Sequence, residues 1–135
     1  MILDHDIKRD DYVSKTLGYE KFVLASPKNG SSEVYLDHDE KDETTYKYLR
    51  ISKGKKIRRS FLSDIYGLMD GVEAGIGSAV LPLHLIHGRK NIIVSDDREL
   101  ENPVVLNYNR QDHYPKLFSA VIDTLISTSK KYLEI

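Results

Sequence analysis

The sequence contains no cysteine, no long apolar run and no strong excess of charge of either sign. The absence of cysteine excludes disulfide bonds, thiolate catalysis and cysteine-ligated zinc. No stretch approaches the roughly 20 apolar residues that span a membrane. The first eleven residues also lack the apolar core of a secretory signal. Together these absences favour a soluble, cytoplasmic protein.

Size and charge set broad limits on function. The 20 basic and 21 acidic residues leave a net charge of −1, which gives no general reason to expect a nucleic-acid or membrane partner. The chain has 135 residues, of which 40% are hydrophobic. That is enough for one domain with a core of its own.

Apolar periodicity predicts strands that alternate with helices. Strands are predicted at Lys21–Ala25, Glu33–Leu36, Ile57–Leu62, Asn91–Ser95 and Pro103–Tyr108. Helices are predicted at Asp42–Arg50 and from Pro115 onward. Turns or loops are predicted at Gly18, at Lys28–Ser32 and at the acidic stretch Asp96–Asn102. This alternation indicates an α/β fold with a mixed sheet flanked by helices.

The chain is organised around the stretch Ser63–Leu85, which begins with a predicted helix. Ser63 stands at the expected N-cap of that helix, with Asp64 in its first turn. Gly75 stands just beyond the last apolar residue of the helical pattern, where a left-handed C-cap is favoured. The pattern therefore predicts both ends of the helix.

A second glycine and a proline follow the predicted helix. Gly77 is expected to allow a close approach of two backbones, and a short buried strand follows it. Pro82 suits the first position of a new helical turn, because it lacks an amide proton. Gly75 and Gly77 do not form a dinucleotide fingerprint, since the third glycine is missing and the pair follows a helix instead of opening one.

No motif predicts a catalytic or metal centre. His84 and His87 are three residues apart and could share a helix face, but no third metal ligand is placed near them by any motif. No serine lies in a G-x-S-x-G elbow or in an S-x-x-K motif with its companions. We therefore predict no catalytic residue, no metal and no cofactor.

The stretch Lys53–Arg59 carries five positive charges. It could contact phosphates, but neither aromatic interleaving nor a recognition helix accompanies it. A solvated turn beside a strand is the favoured interpretation.

The junction Phe61–Asp64 is the best candidate for a small-molecule contact. A predicted strand ends there and a helix begins, so free amides at the helix N-terminus would favour a carboxylate or another anion. Ligands of open α/β sheets also bind at the carboxyl ends of strands. The alternative interpretation is an ordinary N-cap, and Asp64 adds a negative charge that opposes an anion.

A family resemblance rests on residues 68–82. The matching positions are Leu68, Met69, Val72, Ala74, Gly75, Ile76, Gly77, Ala79, Val80, Leu81 and Pro82. This pattern resembles the effector-binding domain of LysR-type transcriptional regulators. The resemblance implies two α/β subdomains, similar to those of type 2 periplasmic binding proteins. It also implies two crossover strands between them and a small-molecule effector in the cleft.

The resemblance implies a position for each part of the chain. It assigns Glu20–Pro27 to the first crossover, residues 31–93 to the second subdomain, and residues 103–133 to the return crossover and the closing helix. It implies that Phe61, Leu62 and Ser63 contact the effector and that Ser26 and Asn107 are hinge residues. Gly75, Gly77 and Pro82 would be structural. A sensing module of this kind is a regulator and not an enzyme.

Two departures from the family pattern lead to the expectation of a fragment. A winged helix-turn-helix is missing, so DNA would be contacted only through a helix-turn-helix absent from this chain. The opening half of the first subdomain is missing as well. Apolar residues that would pack against that half are Phe22, Leu24, Phe118, Ile122 and Ile126. Since exposed apolar patches recruit partners, we expect self-association.

Two alternative functions remain open from the sequence. One is a fragment of a type 2 solute-binding protein, which would need export, although the sequence shows no signal for it. The other is a small hydrolase or transferase that uses the histidines, which would need a nucleophile and a base that no motif identifies.

Overall fold

The computed structural model describes residues 1–30 and 33–133. The strands of the described residues are β1 (Ile2–Leu3), β2 (Tyr12–Pro27), β3 (Tyr35–Asp37), β4 (Arg59–Phe61), β5 (Ala79–Pro82) and β6 (Ile92–Asn109). The helices are α1 (Thr44–Leu49), α2 (Ile65–Glu73), α3 (Leu83–Ile86) and α4 (Lys116–Ser129).

The strands form two sheets of different character. The larger has the order β1-β6-β2-β5, with β1 antiparallel to β6 and β5 antiparallel to β2. The smaller pairs β3 with β4 in parallel and sets Asp37 opposite Phe61. The predicted α/β class, with both strand directions, is confirmed.

The chain divides into two compact units. The first comprises Met1–Glu20 and Glu101–Ile135, and the second comprises Lys21–Leu100. Strands β2 and β6 each contribute residues to both units. The assignment of crossovers and of a second subdomain over residues 31–93 stays a prediction. Ser31 and Ser32, where that subdomain begins and the loop Lys28–Ser32 ends, lie outside the described residues.

The second unit holds the larger hydrophobic core. Its buried members are Val23, Ala25, Leu36, Leu68, Met69, Val72, Ala79, Leu81 and Ile86. Val23 and Ala25 have no exposed surface, which confirms the buried strand predicted at Lys21–Ala25. Each fully buried Val, Leu or Met contributes roughly 1.5–3 kcal/mol of transfer free energy.

The N-cap of helix α2 is Asp64 and not Ser63, which corrects the predicted N-cap. Asp64 has an extended backbone, and its Oδ1 accepts a hydrogen bond from the Gly67 amide at 2.7 Å. A capping oxygen lies two or three residues before the amide that it satisfies. Ser63 stands one residue too early for Gly67, so Asp64 is the cap instead of a first-turn residue.

The end of α2 follows the prediction for Gly75. Gly75 has a φ of +82°, in the left-handed region that glycine adopts most readily. Its amide donates to the Val72 carbonyl at 3.0 Å, and the Ile76 amide donates to the Gly71 carbonyl at 3.0 Å. These two bonds form a Schellman motif.

The residues after α2 confirm one prediction and correct another. A Cβ on Gly77 would collide with the Val34 carbonyl oxygen, so the predicted close approach of two backbones is present. Pro82 is the last residue of β5 and the N-cap of α3. Pro82 was predicted at the first helical position, but that position belongs to Leu83. The extended ψ of Pro82, 127°, and its pairing with Phe22 keep it in the strand.

Two predicted interruptions are continuous strand. Gly18 lies within β2, and the backbone of Asp96–Asn102 continues β6. In both cases, pairing with a neighbouring strand supplies hydrogen bonds that a local sequence pattern does not reveal.

The first unit has a smaller core around α4. Its buried members are Leu17, Leu106 and Ile122, with Phe118 and Ile126 packed against them. The helix was predicted to start at Pro115. Pro115 is instead the N-cap of α4, and the first helical residue is Lys116. Thus Phe118, Ile122 and Ile126 pack within this unit, whereas Leu117 and Val121 on the same helix are exposed.

Candidate functional site

The candidate site lies where the carboxyl ends of β3 and β4 meet. Because these strands are parallel, both end at the same edge of the small sheet. The Leu62 amide donates to the Asp37 carbonyl at 2.9 Å, which extends the pairing by one bond. The chain then turns through Ser63 into α2. We call residues 61–63 the Phe61–Ser63 edge.

Three hydrogen-bond donors are available at this edge and in the first turn of α2, and the first of them is the hydroxyl of Ser63. The side chain of Ser63 is exposed, and its hydroxyl bonds to no residue that the structure describes. Within the same part of the chain, the amides of Ile65 and Tyr66 in the first turn of α2 have no acceptor either. An anionic ligand oxygen could accept from these groups. The Asp64 carboxylate stands beside them and accepts from Gly67.

The three residues predicted to contact an effector have different surroundings. Phe61 has 42% of its surface exposed. Leu62 is half-buried and packs against the core of the second unit. The edge thus brings Phe61 and Ser63 to the surface and uses Leu62 as an anchor. Their role in binding stays a prediction.

A buried ion pair lies beneath this edge. The Arg59 Nε donates to Asp37 Oδ2 at 2.8 Å, and Thr45 Oγ1 donates to Asp37 Oδ1 at 2.6 Å. The side chains of Asp37 and Arg59 are only 3% and 12% exposed. Burial acts to lower the pKa of Arg59, but the hydrogen bond to Asp37 and its charge outweigh burial and raise that pKa. Arg59 is therefore charged at every physiological pH.

The same guanidinium lies over two aromatic rings. Its carbon Cζ is 5.0 Å from the ring centroid of Tyr46 and 5.0 Å from that of Phe61. At this distance the negative faces of both rings attract the cation. Phe61 is thus a partner of Arg59 as well as a surface residue.

Sequence reasoning missed Arg59, because it was counted within the basic turn Lys53–Arg59. One signal could have separated it from that turn. In the predicted strand Ile57–Leu62, alternate residues share a face, which would place Ile57, Arg59 and Phe61 on the same side. An arginine between two apolar positions indicates a partly buried side chain that needs a partner.

A pocket of about 420 Å³ adjoins Arg59. Its lining residues carry both signs of charge: Glu40, Lys41, Asp42, Glu43, Tyr46, Lys53 and Arg59. Lys53 and Glu43 form an ion pair at its border. The balanced charge gives this pocket no preference for an anion.

The two predicted hinge residues have defined partners. Ser78 Oγ donates to Ser26 Oγ at 3.0 Å, and Ser78 is buried. Asn107 is 1% exposed, and its Oδ1 accepts from the Ile7 amide at 3.0 Å and from the Ser14 hydroxyl at 2.5 Å. Its Nδ2 donates to the His5 carbonyl at 3.1 Å.

Asn107 therefore fixes the N-terminal segment onto β6, a role that sequence reasoning did not identify. The available signal was the position of Asn107 within the apolar run Val104–Tyr108. An amide side chain that is buried with such neighbours needs hydrogen-bond partners. The hinge roles of Ser26 and Asn107 stay predictions.

Two other classes of site were sought in the part of the chain that the structure describes. His84 and His87 are exposed. No group of three or more His, Cys, Asp or Glu side chains is arranged to hold a metal ion among the described residues. None of the helices there is both long enough and apolar enough to cross a membrane.

Comparisons with known proteins identify the fold. No protein-family model and no curated protein sequence matches the chain. The C-terminal domains of a LysR family protein from Agrobacterium tumefaciens match with a TM-score of 0.81 at 15% identity, over 98% of this chain and 73% of that one. Full-length LysG from Corynebacterium glutamicum with bound effector Arg matches with a TM-score of 0.79 at 12% identity.

The coverage of these matches is unequal. The alignment with LysG includes 99% of this chain but 52% of LysG, so the chain spans about half the length of that regulator. The regulatory domain of CcmR from Synechocystis PCC6803, in complex with 2-PG, matches over 96% of this chain and 72% of that one, with a TM-score of 0.71 at 12% identity. The chain therefore has the fold of LysR-type regulatory domains, and the predicted resemblance is confirmed at the level of the fold.

Proposed function

We propose that this chain is the effector-sensing part of a LysR-type transcriptional regulator. The observation that carries the proposal is the fold match, which extends over nearly the whole chain to regulatory domains of this type. Two of the matched structures hold a small molecule, Arg in LysG and 2-PG in CcmR. A regulator of this kind would act in the cytoplasm and would reach DNA through a separate helix-turn-helix. It would not be an enzyme.

The Phe61–Ser63 edge is the proposed contact surface for the effector. It lies at the carboxyl ends of two parallel strands, where ligands of α/β proteins bind. The Ser63 hydroxyl and the Ile65 and Tyr66 amides have no other acceptor among the described residues. These three donors favour a small carboxylate. Binding would shift a pre-existing equilibrium between conformations.

A binding experiment tests this proposal. Thermal unfolding of the protein would be followed with L-arginine, 2-PG and a panel of small carboxylates, and calorimetry would measure the affinity of each compound that raises Tm. A ligand at 100 times its Kd stabilises the folded state by about 2.7 kcal/mol. We expect at least one carboxylate to bind.

Paired serine variants test the proposed edge. Removing the Ser63 hydroxyl with Ser63→Ala should weaken the affinity for that carboxylate about tenfold or more, since one lost hydrogen bond to a charged group costs about 1.5 kcal/mol or more. Ser60→Ala is the matched control, because Ser60 is also exposed but lies before the edge, in β4. Equal affinities in the two variants would contradict the proposed contact.

Self-association is a further part of the proposal. It is supported by exposed apolar residues on α4, where Leu117 is 78% and Val121 is 50% exposed. A hollow of about 240 Å³ lies on the same helix and is lined by Ala120, Val121, Thr124 and Leu125. A second copy would remove this surface from water.

A further inference from the structure

Every nitrogen of the Arg59 guanidinium has an acceptor within the protein. Nε donates to Asp37, and one terminal nitrogen donates to the carbonyls of Asp42 at 2.7 Å and Asp39 at 3.3 Å. The other terminal nitrogen donates to the Glu40 carbonyl at 3.4 Å. Arg59 is therefore occupied and does not offer a free fork to a ligand carboxylate.

These bonds connect three segments that meet at the candidate site. Asp37 ends β3, residues 39–42 form the loop that leads to α1, and Phe61 ends β4. The guanidinium contacts all three, because its nitrogens donate to Asp37 and the loop, and its Cζ lies 5.0 Å from the centroid of the Phe61 ring. One side chain thus contacts all three segments.

We infer that Arg59 is the positioning residue of the Phe61–Ser63 edge. It acts through Phe61, whose ring it holds, and through Asp37, whose carbonyl receives the Leu62 amide. The importance of Arg59 for effector binding rests on the proposed function. The effect of Arg59 on the position of Phe61 is independent of that function and can be measured without any ligand.

Lysine would not replace arginine here. A lysine ammonium is a point charge with three donors, whereas the guanidinium is planar and can stack on rings while its edge bonds elsewhere. Arg59→Lys therefore keeps a cation for the buried Asp37 carboxylate but loses the guanidinium that lies over the Phe61 ring. The neighbouring Arg58→Lys is the matched control. The Arg58 side chain is 74% exposed and stands 3.7 Å from Glu33, which is exposed as well.

Fluorine NMR can report the position of Phe61. The chain has three phenylalanines, Phe22, Phe61 and Phe118, so uniform labelling with 4-fluorophenylalanine gives three signals. Phe61→Leu assigns the signal of interest. We expect Arg59→Lys to move the Phe61 signal by more than its linewidth and to leave the other two in place. Arg58→Lys should move none of them. An unchanged Phe61 signal in Arg59→Lys would overturn the inference.

A second measurement covers the case in which Arg59→Lys does not fold. Protons above an aromatic ring are shifted by its ring current, so the Arg59 Nε–H resonance of the otherwise unchanged protein should move in Phe61→Leu. Phe61 is partly exposed, so that variant should fold. A resonance that stays in place would contradict the contact on which the inference depends.

Affinity then separates this inference from the proposed function. For a carboxylate that binds the wild-type protein, we expect Arg59→Lys to weaken the affinity about tenfold or more and Arg58→Lys to leave it unchanged. Equal affinities in the two variants would overturn the role of Arg59 in binding. If no panel compound binds the wild-type protein, the proposed function fails, and the fluorine spectra still decide whether Arg59 positions Phe61.

Discussion

At the scale of single residues, the tightest steric constraint described above is at Gly77. The Ser78 amide donates to the Val34 carbonyl at 2.8 Å, and the Leu36 amide donates to the Ser78 carbonyl at 2.8 Å. These bonds draw the chain after α2 against the start of β3. A Cβ on Gly77 would collide with the backbone of Val34, which cannot rotate away as a side chain can.

We predict that Gly77→Ala lowers the free energy of unfolding by about 2–3 kcal/mol, because overpacking against fixed backbone forces the strands apart. Urea unfolding followed by circular dichroism would measure the loss. Gly54→Ala is the control, since a Cβ there meets no atom within 4 Å. A Gly77→Ala variant as stable as Gly54→Ala would show that the close approach is not a constraint.

Single residues also mark the limit of prediction from the sequence. The roles of Gly75 and Gly77 were predictable, because a left-handed C-cap and a close backbone approach leave a local glycine signal. Arg59 was not identified, and Asn107 was predicted as a hinge residue but not as the residue that holds the N-terminal segment. Their partners, Asp37 and the segment from His5 to Ser14, lie far away in the sequence, and no local pattern indicates which distant group a buried polar side chain will find.

At the scale of elements, helix α2 and strand β5 were predicted well, whereas the lengths of β2 and β6 were not. An amphipathic helix carries its period within its own residues. A long strand is stabilised by its neighbours, so Gly18 and the acidic stretch Asp96–Asn102 can remain extended although their composition favours a turn. The prediction from local composition therefore placed turns inside two strands that are continuous in the structure.

The start of α1 is the element whose stability should depend most clearly on pH. Asp42 Oδ1 accepts hydrogen bonds from the Thr44 amide at 3.0 Å and the Thr44 hydroxyl at 2.6 Å. Its Oδ2 accepts from the His38 amide at 3.1 Å. Partial burial acts to raise the pKa of Asp42, but these hydrogen bonds and the charge of His38 outweigh burial. The pKa therefore lies below its usual 3.8.

The sign of the pH effect follows from this direction. Because the folded pKa is depressed, the ionised carboxylate stabilises the folded state above about pH 4, and this contribution is lost as the pH falls through the folded value. We predict that Asp42→Asn costs about 1 kcal/mol or less near neutral pH and that the difference from wild type shrinks below about pH 4. Urea unfolding at several pH values would measure it.

The exposed Asp112 provides a control for the effect of a lost surface charge. Asp112→Asn should differ little from wild type at any pH in the same series. A deficit of Asp42→Asn that persists unchanged to pH 2.5 would show that the carboxylate charge does not stabilise the start of α1.

At the scale of the whole molecule, the family resemblance identified the fold more completely than periodicity did. The motif at residues 68–82 contains buried positions of α2 and β5 and the turn between them. That combination is specific enough to indicate the surrounding fold. The division into units at Glu20 and Leu100 was not predicted from composition, because β2 and β6 continue across it as unbroken strands.

The first unit leaves apolar surface uncovered, and this leads to a prediction about assembly. Its buried core has few members, while Leu117 and Val121 are exposed beside a hollow on α4. We predict that the protein self-associates and that Val121→Glu shifts it toward monomer, because burying an unpaired carboxylate would cost several kcal/mol. Sedimentation velocity over a range of concentrations would measure the distribution of species.

A control variant with a glutamate elsewhere on α4 distinguishes the effect of losing the apolar surface from the effect of adding a charge. Ser127 is exposed on α4 but does not line the hollow, so Ser127→Glu should associate as the wild type does. A wild-type protein that sediments as a monomer at every concentration would refute self-association. Equal effects of Val121→Glu and Ser127→Glu would show that charge repulsion, and not burial of the α4 surface, controls assembly.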